Sequence, residues 1–254
     1  MIELNCVGAS LPEAYHSALE KLYYYGDIVD CPAWETKCLE AALTMIVKSP
    51  LAEPRISRFF PGTPYDLEKY RQEMLDGIMD FKVGNGWNYT YHDRMTNAFY
   101  YDIDQIEFVI EELVRDRNSR RAVIMVRDIG EDTDSQDPAC LQHIQFFIRN
   151  GKLDCMVLFR SNDLLEATFM NAYALICLQE RIAGELGVEV GTYTHRANSA
   201  HVYEKDWDKL KAAVYRIEHE SLDELSYCYA GDWDELMEAE KPRIAKFVEG
   251  LKNG

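Results

Sequence analysis

Apolar residues recur at helical spacing in some stretches of the chain and run together or alternate in others, and the two periods divide it into elements. Over residues 12–25, Ala14, Ala18, Leu19 and Leu22 share one helical face; over residues 65–81, Leu67, Tyr70, Met74, Leu75 and Ile78 repeat the pattern. Residues 104–115 carry Ile106, Val109, Ile110 and Leu113 on one face before Asn118-Ser119 breaks the helix. A β-rich run follows over residues 122–126, and strands over 145–149 and 153–159 flank Asn150-Gly151, a strong hairpin-turn pair. Residues 171–186 are apolar around most of the helical circumference, which predicts a central helix buried by the sheet. Residues 191–194 and 200–203 predict two short strands, and residues 207–218 and 233–251 predict amphipathic helices. The class is α+β. Nothing along the chain reads as a repeat, a low-complexity tract or a Pro/Ser-rich linker, so the expectation is one catalytic-sized domain over residues 1–254.

Composition narrows what such a domain does. With 254 residues, 47% of them hydrophobic and 12% aromatic, the chain can bury a large core without disulfides. Its seven cysteines are odd in number and scattered, with neither CxxC pairs nor zinc-ligand spacing, which predicts reduced thiols in a cytoplasmic protein and no metal. No apolar run approaches the ~18 residues of a membrane span, and no basic segment leads into an apolar one at the start, so neither a span nor a signal peptide is expected. Forty-four acidic against 27 basic residues give a formal charge of −17. That balance repels a phosphate polymer and argues against general DNA or RNA binding, yet leaves room for a small anion where arginines converge.

The candidate chemistry centres on Cys140, in the run Asp137-Pro138-Ala139-Cys140-Leu141-Gln142, with Arg160, Ser161 and Asp163 following. A lone intracellular cysteine is more often a small buried hydrophobe than a nucleophile. Brought together at strand ends, however, a thiol, a guanidinium and a carboxylate build a covalent site for an anionic, electron-poor ring. The other candidates have bland readings as well. Arg120-Arg121 after a helix reads as a solvated cap, Asn171 as an N-cap, Glu73 as an exposed helix residue, and His201-Val202-Tyr203 as edge strand.

Order and spacing outweigh those separate readings. The stretch from Cys140 to Asp206 resembles the thymidylate synthase family: a cysteine followed by Gln-Phe, then Asn-Gly-Lys-Leu, Arg160-Ser161-Asn162-Asp163, Asn171, Val190-Gly191 and His201-Val202-Tyr203. Upstream, Ile103-Asp104-Gln105-Ile106 with Asn118-Ser119-Arg120-Arg121 is similar to the family's helix and double-arginine segment, and Glu73-Met74-Leu75 to its Glu-Leu-Leu helix. The N-terminal third, including Pro50-Leu51-Ala52-Glu53-Pro54-Arg55 and Trp87-Asn88-Tyr89-Thr90-Tyr91-His92, is closer to the divergent archaeal-type members.

The resemblance implies a large mixed sheet covered by helices and dimerising through the sheet face. It implies C5 methylation of dUMP with 5,10-methylene-tetrahydrofolate or a related pterin as cosubstrate, and no metal. Cys140 is then the nucleophile toward C6 of the pyrimidine, with Arg160 stabilising its thiolate. Arg120, Arg121, Arg160 and Ser161 hold the 5′-phosphate, the paired arginines reaching across from the second subunit of a homodimer. Asn171 reads the base, and since cytosine-specific members place an acid there, uracil is favoured. His201 and Tyr203 take the sugar hydroxyl, Glu73 organises proton transfers through water, Asn162 and Asp163 complete the pocket with Asp163 toward the one-carbon carrier, and Tyr89 or Tyr91 assists removal of the C5 proton.

Several family features are missing. The phosphate-binding arginine after the first helix has no clear counterpart unless Arg55 takes its role. Leu141 replaces the histidine after the cysteine, Ala197-Asn198-Ser199 replaces Gly-Gly-Asp, and the tryptophan-rich insert and hydrophobic C-terminus have no counterpart. These losses fall mostly on the folate side, so hydroxymethylation of a pyrimidine nucleotide (dUMP, dCMP or CMP) is the alternative, and a non-catalytic nucleotide-binding homologue the third reading.

Overall fold

The structure is a computed structural model that describes residues 1–98 and 103–253. In chain order it begins with β1 (Glu3–Gly8), α1 (Leu11–Tyr25), β2 (Asp27–Cys31), β3 (Thr36–Val47) and β4 (Ile56–Ser57). There follow α2 (Pro64–Asp76), α3 (Tyr91–Thr96), α4 (Gln105–Arg115), β5 (Val123–Met125) and α5 (Ile129–Asp132). The remainder is β6 (Leu141–Arg149), β7 (Lys152–Phe159), β8 (Asn162–Asp163), α6 (Thr168–Leu186), β9 (Glu189–Tyr203), α7 (Trp207–His219), β10 (Ser226–Tyr227) and α8 (Asp234–Asn253).

The main sheet is mixed, in the order β1-β3-β9-β7-β6-β5, with β2 extending the edge of β3 and β8 pairing with β9. β1 runs parallel to β3 and β7 parallel to β9, while β3–β9, β6–β7 and β5–β6 are antiparallel. Period-two alternation makes the sheet two-sided. Ile144, Phe146, Ile148, Leu153, Cys155, Val157, Tyr193 and His195 are buried, whereas Gln145, Phe147, Asp154, Met156, Thr192, Thr194 and Arg196 between them are half-buried or exposed. Helices α1 and α6 pack on the buried side, where Tyr15 meets Phe169 with ring centroids 5.4 Å apart. The class and the helix-covered mixed sheet expected from the sequence are what the structure shows.

Several boundaries differ, each for a physical reason. The helix expected over 65–81 stops at Asp76, because Gly77 takes a left-handed conformation (φ 62°) and a Cβ there would collide with Asp80 and His92. The strand expected from Gln145 starts at Leu141, immediately after Cys140. The two short strands expected at 191–194 and 200–203 are one, β9, whose polar middle (Thr194, Arg196, Asn198) occupies the uncovered side of the sheet. Asn171 is not an N-cap: α6 opens at Thr168 and the Asn171 amide already donates to the Ala167 carbonyl at 3.0 Å. β1, β2 and β3 have no counterpart in the sequence reading, since Leu39-Glu40-Ala41-Ala42-Leu43 within β3 is rich in helix formers and tertiary pairing overrides that preference.

Candidate active site

Cys140 stands at the mouth of the sheet, on the loop that feeds β6. Arg160 leaves the end of the neighbouring strand β7, and the two are fastened together by backbone: the Arg160 amide donates to the Cys140 carbonyl at 2.8 Å. The guanidinium grips the same loop, Nε donating to the Ala139 carbonyl at 3.1 Å and a terminal nitrogen to the Pro138 carbonyl at 2.7 Å. Burial pushes the Cys140 thiol up, the Arg160 charge pulls it down, and the Asp137 carboxylate adds to the rise. The geometry thus combines a partly sheltered thiol with the cation that can turn it into a thiolate.

An aromatic cavity of about 440 Å³ lies beside the loop that carries Cys140, lined among others by Tyr70, Glu73, Trp87, Tyr89, Tyr91 and that loop's Asp137. Tyr70 and Glu73 are three apart on α2 and therefore share a face. The Tyr70 hydroxyl donates to Oδ1 of Asn171, which links α2 to the first turn of α6. Glu73 is mostly sheltered (side chain 16% exposed) and pairs with Lys69. Burial pushes the Tyr89 hydroxyl up to about 12, with Asp137 and Cys140 adding and Arg160 opposing, and Tyr89 and Asp137 line the same cavity. Tyr91, 5.6 Å away by ring centroids, accepts a long bond (3.4 Å) from the Leu141 amide. The loop is anchored by Thr90, which caps α3 by accepting from the Asp93 amide and donates to Asp80, itself 2.6 Å from His92 Nδ1.

The far wall comes from β8 and the end of β9. Asn162 and Asp163 pair in parallel with Ala200 and His201. Oδ1 of Asp163 accepts from the Leu165 and Glu166 amides at 3.1 and 3.0 Å, and burial still holds the carboxyl above the usual carboxylate range, against those bonds and the nearby His201. His201 and Tyr203 are two apart on one strand face, rings 4.8 Å apart. Burial, then the charges of Cys31, Asp163, Cys38 and Cys140, raise the Tyr203 hydroxyl. Oδ1 of Asn162 is saturated, accepting from Thr168 Oγ1 at 2.8 Å and bonding to Nε2 of the fully buried His195 at 2.9 Å. These two bonds tie Asn162 to the start of α6 and to β9. Ser161, half-buried, follows Arg160 in the same turn.

Cys140 and Arg160 are therefore joined directly, Glu73 and Tyr89 line the cavity beside their loop, Asn171 is bonded to Tyr70 of the same cavity, and Asp163 pairs with His201 two residues before Tyr203. Arg120 and Arg121 stand apart from Cys140. Extending the β5–β6 register (Val123 opposite Gln145) puts Arg121 about seven strand positions from Cys140, on the order of 20 Å. Both arginines are exposed, and Arg121 Nε donates to the buried Glu112 of its own α4 at 3.0 Å. Arg55, the other arginine considered for the phosphate, is buried over the Tyr229 and Tyr173 rings (4.5 and 5.9 Å) and faces Glu180, about two and a half turns beyond Asn171 on α6. Leu141 is fully buried in the core. Among the described residues, no cluster of three or more His, Cys, Asp or Glu side chains is arranged to hold a metal, and no helix is long and apolar enough to cross a membrane. Tyr70 has the helical spacing of a core position, and only its place three residues before Glu73 marks it for the cavity; His195 carries no such mark in the sequence.

The family model for thymidylate synthase matches residues 68–236. A protein provisionally named a thymidylate synthase, from Methanocaldococcus jannaschii, is 36% identical over 211 residues, covering 80% of this chain and 92% of its own. A second so named, from Methanosarcina acetivorans, is 31% identical over 82% of this chain and 93% of its own. Among solved structures, thermostable thymidylate synthase A from Bacillus subtilis superposes with a TM-score of 0.65 at 19% identity, over 84% of this chain and 85% of its own, and so shares the fold. The chain belongs to the thymidylate synthase family and is an enzyme of that type.

Proposed function

We propose that this enzyme methylates C5 of dUMP through covalent attack of Cys140 on C6, with 5,10-methylene-tetrahydrofolate or a related pterin as cosubstrate. The observation that carries the reading is the double fastening of Cys140 to Arg160, which presents thiol and guanidinium together beside an aromatic cavity. C5 of uracil is a poor nucleophile. Addition of the Cys140 thiolate to C6 sends the C5–C6 π pair toward O4 as an enolate, and that charge makes C5 reactive. Asn171, held by Tyr70, meets the O4/N3 edge, and Arg160 with Ser161 takes the phosphate. Tyr89, rather than Tyr91 whose hydroxyl is engaged by the Leu141 amide, assists loss of the C5 proton, and Glu73 relays protons through water. Aromatic walls fit a flat pterin, with Asp163 facing it. The cosubstrate supplies the one-carbon unit and, for methylation, the hydride.

The functional unit in this reading is a homodimer joined through the uncovered sheet face, in which Arg120 and Arg121 serve the partner's pocket. Their distance from Cys140 within one chain supports that assignment. Hydroxymethylation is the second reading, favoured by Ala197-Asn198-Ser199, where Asn198 is exposed in place of the family's Gly-Gly-Asp. Mass spectrometry of the nucleotide after incubation with dUMP and methylene-tetrahydrofolate separates the readings. A methyl in place of the C5 hydrogen supports thymidylate synthesis, a hydroxymethyl supports the alternative, and binding without a new product supports a non-catalytic homologue.

A further inference from the structure

The β2–β3 hairpin carries a thiol pair that the proposed chemistry does not use. Cys31 closes β2 and Cys38 lies near the start of β3, two residue pairs apart in register (Val29 opposite Cys38, Cys31 opposite Thr36). Their sulfurs are 3.3 Å apart, Cys31 Sγ donating to Cys38 Sγ. Cys38 is buried (3% exposed) and stands directly opposite Tyr203 across the β3–β9 pairing. Cys31 is the more accessible of the two, at the foot of a 3₁₀ turn whose Trp34 is 73% exposed and whose Glu35 is left-handed (φ 50°). With Ile28 on β2 also 64% exposed, little packing resists movement of this corner.

We propose that Cys31 and Cys38 are an oxidisable dithiol whose disulfide modifies the nucleotide site through Tyr203. The oxidant class is a peroxide. It first takes the accessible Cys31, whose sulfur gains a hydroxyl as one peroxide oxygen leaves as water; the Cys38 sulfur then displaces that hydroxyl as a second water. Two thiols and one peroxide give one disulfide and two waters, each sulfur losing one electron. Bond formation needs the sulfurs to close from 3.3 Å to about 2.05 Å, a movement of about 1.3 Å that one side-chain rotation and the loose turn accommodate. Burial pushes the Cys38 thiol up, so it serves as the resolving partner and not as the first target. The closed pair draws β2 onto the strand that backs Tyr203 and shifts its hydroxyl from the sugar position, which weakens nucleotide binding. This last consequence rests on the functional reading above; formation of the bond does not.

The test uses the full-length Cys140→Ser protein, so that oxidation of the nucleophile does not enter. After hydrogen peroxide and alkylation, trypsin cuts after Lys37 and separates the two cysteines unless a disulfide joins their peptides. The expected result is a linked peptide pair that disappears on reduction and does not form in a Cys31→Ser, Cys140→Ser protein. Recovery of Cys31 and Cys38 as separate alkylated or overoxidised peptides overturns the proposal. Titration of dUMP should then show the oxidised form binding about fivefold or more weakly, at the low end of ordinary coupling between sites. Equal affinity in the two forms refutes the link to Tyr203, whereas a reduced protein that binds no dUMP points instead to failure of the functional reading.

Discussion

The Tyr70 hydroxyl on α2 donates to Oδ1 of Asn171 on α6, and this bond decides which end of the amide the cavity meets. With one Oδ1 lone pair engaged, Nδ2 remains to donate to O4 of uracil and Oδ1 retains one acceptor site for N3–H. Asn171→Asp removes the donor and should shift relative kcat/KM from dUMP toward dCMP by ~10- to 1000-fold, about 1–4 kcal/mol. Tyr70→Phe leaves the amide unheld and should cost ~3- to 30-fold in kcat/KM for dUMP, the worth of one hydrogen bond. Selectivity unchanged in Asn171→Asp would reduce the asparagine to a packing residue.

Arg160 acts on Cys140 by charge and by holding the loop carbonyls of Pro138 and Ala139. Removing the charge leaves burial and Asp137 to raise the thiol without opposition. In Arg160→Gln the pH profile of Cys140 alkylation by iodoacetamide should therefore move to higher pH. Arg160→Lys keeps the charge and loses the forked grip, so its alkylation profile should stay near wild type while kcat/KM falls ~100-fold, a site of this kind not tolerating the exchange. Profiles that coincide in all three proteins would separate the guanidinium from the thiol.

Two buried histidines should lower stability in acid. Burial lowers His195 to about 3 and His16 to about 4, and both are bonded as neutral rings, His16 to Ser57 Oγ at 2.8 Å. Their folded values lie below the ordinary ~6.5, so the unfolded chain takes up protons first and stability falls with pH below about 6.5. Between pH ~7 and ~5 each ring should account for about 2 kcal/mol of lost stability, provided the fold keeps it neutral. Urea unfolding of His16→Gln at the two pH values should show a shallower loss than wild type. Parallel pH dependence in the two proteins would refute the assignment.

The separation of Arg121 from Cys140 within one chain makes a prediction about assembly. Arg121→Ala and Cys140→Ala homodimers should each be weak, yet mixing them under subunit exchange should create one pocket with both defects and one intact. Activity should recover toward ~half of wild type per dimer. No recovery, with exchange verified by native mass spectrometry, would place the arginine in its own chain's pocket or outside the site.

Much of this was legible in the sequence because the informative residues sit at turns and element ends with strong local signals. Asn150-Gly151 set the β6–β7 hairpin, with both residues at positive φ, and thereby the register that brings Arg160 back beside Cys140. The stretch at 171–186, apolar around most of its circumference, did become the helix buried against the sheet. What escaped notice depends on long-range pairing. β3 joins β1, β2 and β9, but its Leu-Glu-Ala-Ala-Leu core has helical propensity, and β1 is too short and too mixed to announce itself. His195 carries no local mark either, since its role as a buried bridge between Tyr193 and Asn162 exists only once β8 and β9 are paired.

The central claim, that Cys140 is a nucleophile toward C6 of the pyrimidine, is tested most directly with 5-fluoro-dUMP and methylene-tetrahydrofolate. Fluorine cannot leave C5 as a cation, so the reaction should halt after the thioether and the new carbon bond have formed. Intact-protein mass spectrometry should show wild-type protein shifted by the mass of nucleotide plus cosubstrate, Cys155→Ala shifted equally, and Cys140→Ala unshifted while still folded. Wild-type protein that binds the nucleotide yet keeps its unmodified mass would contradict the account.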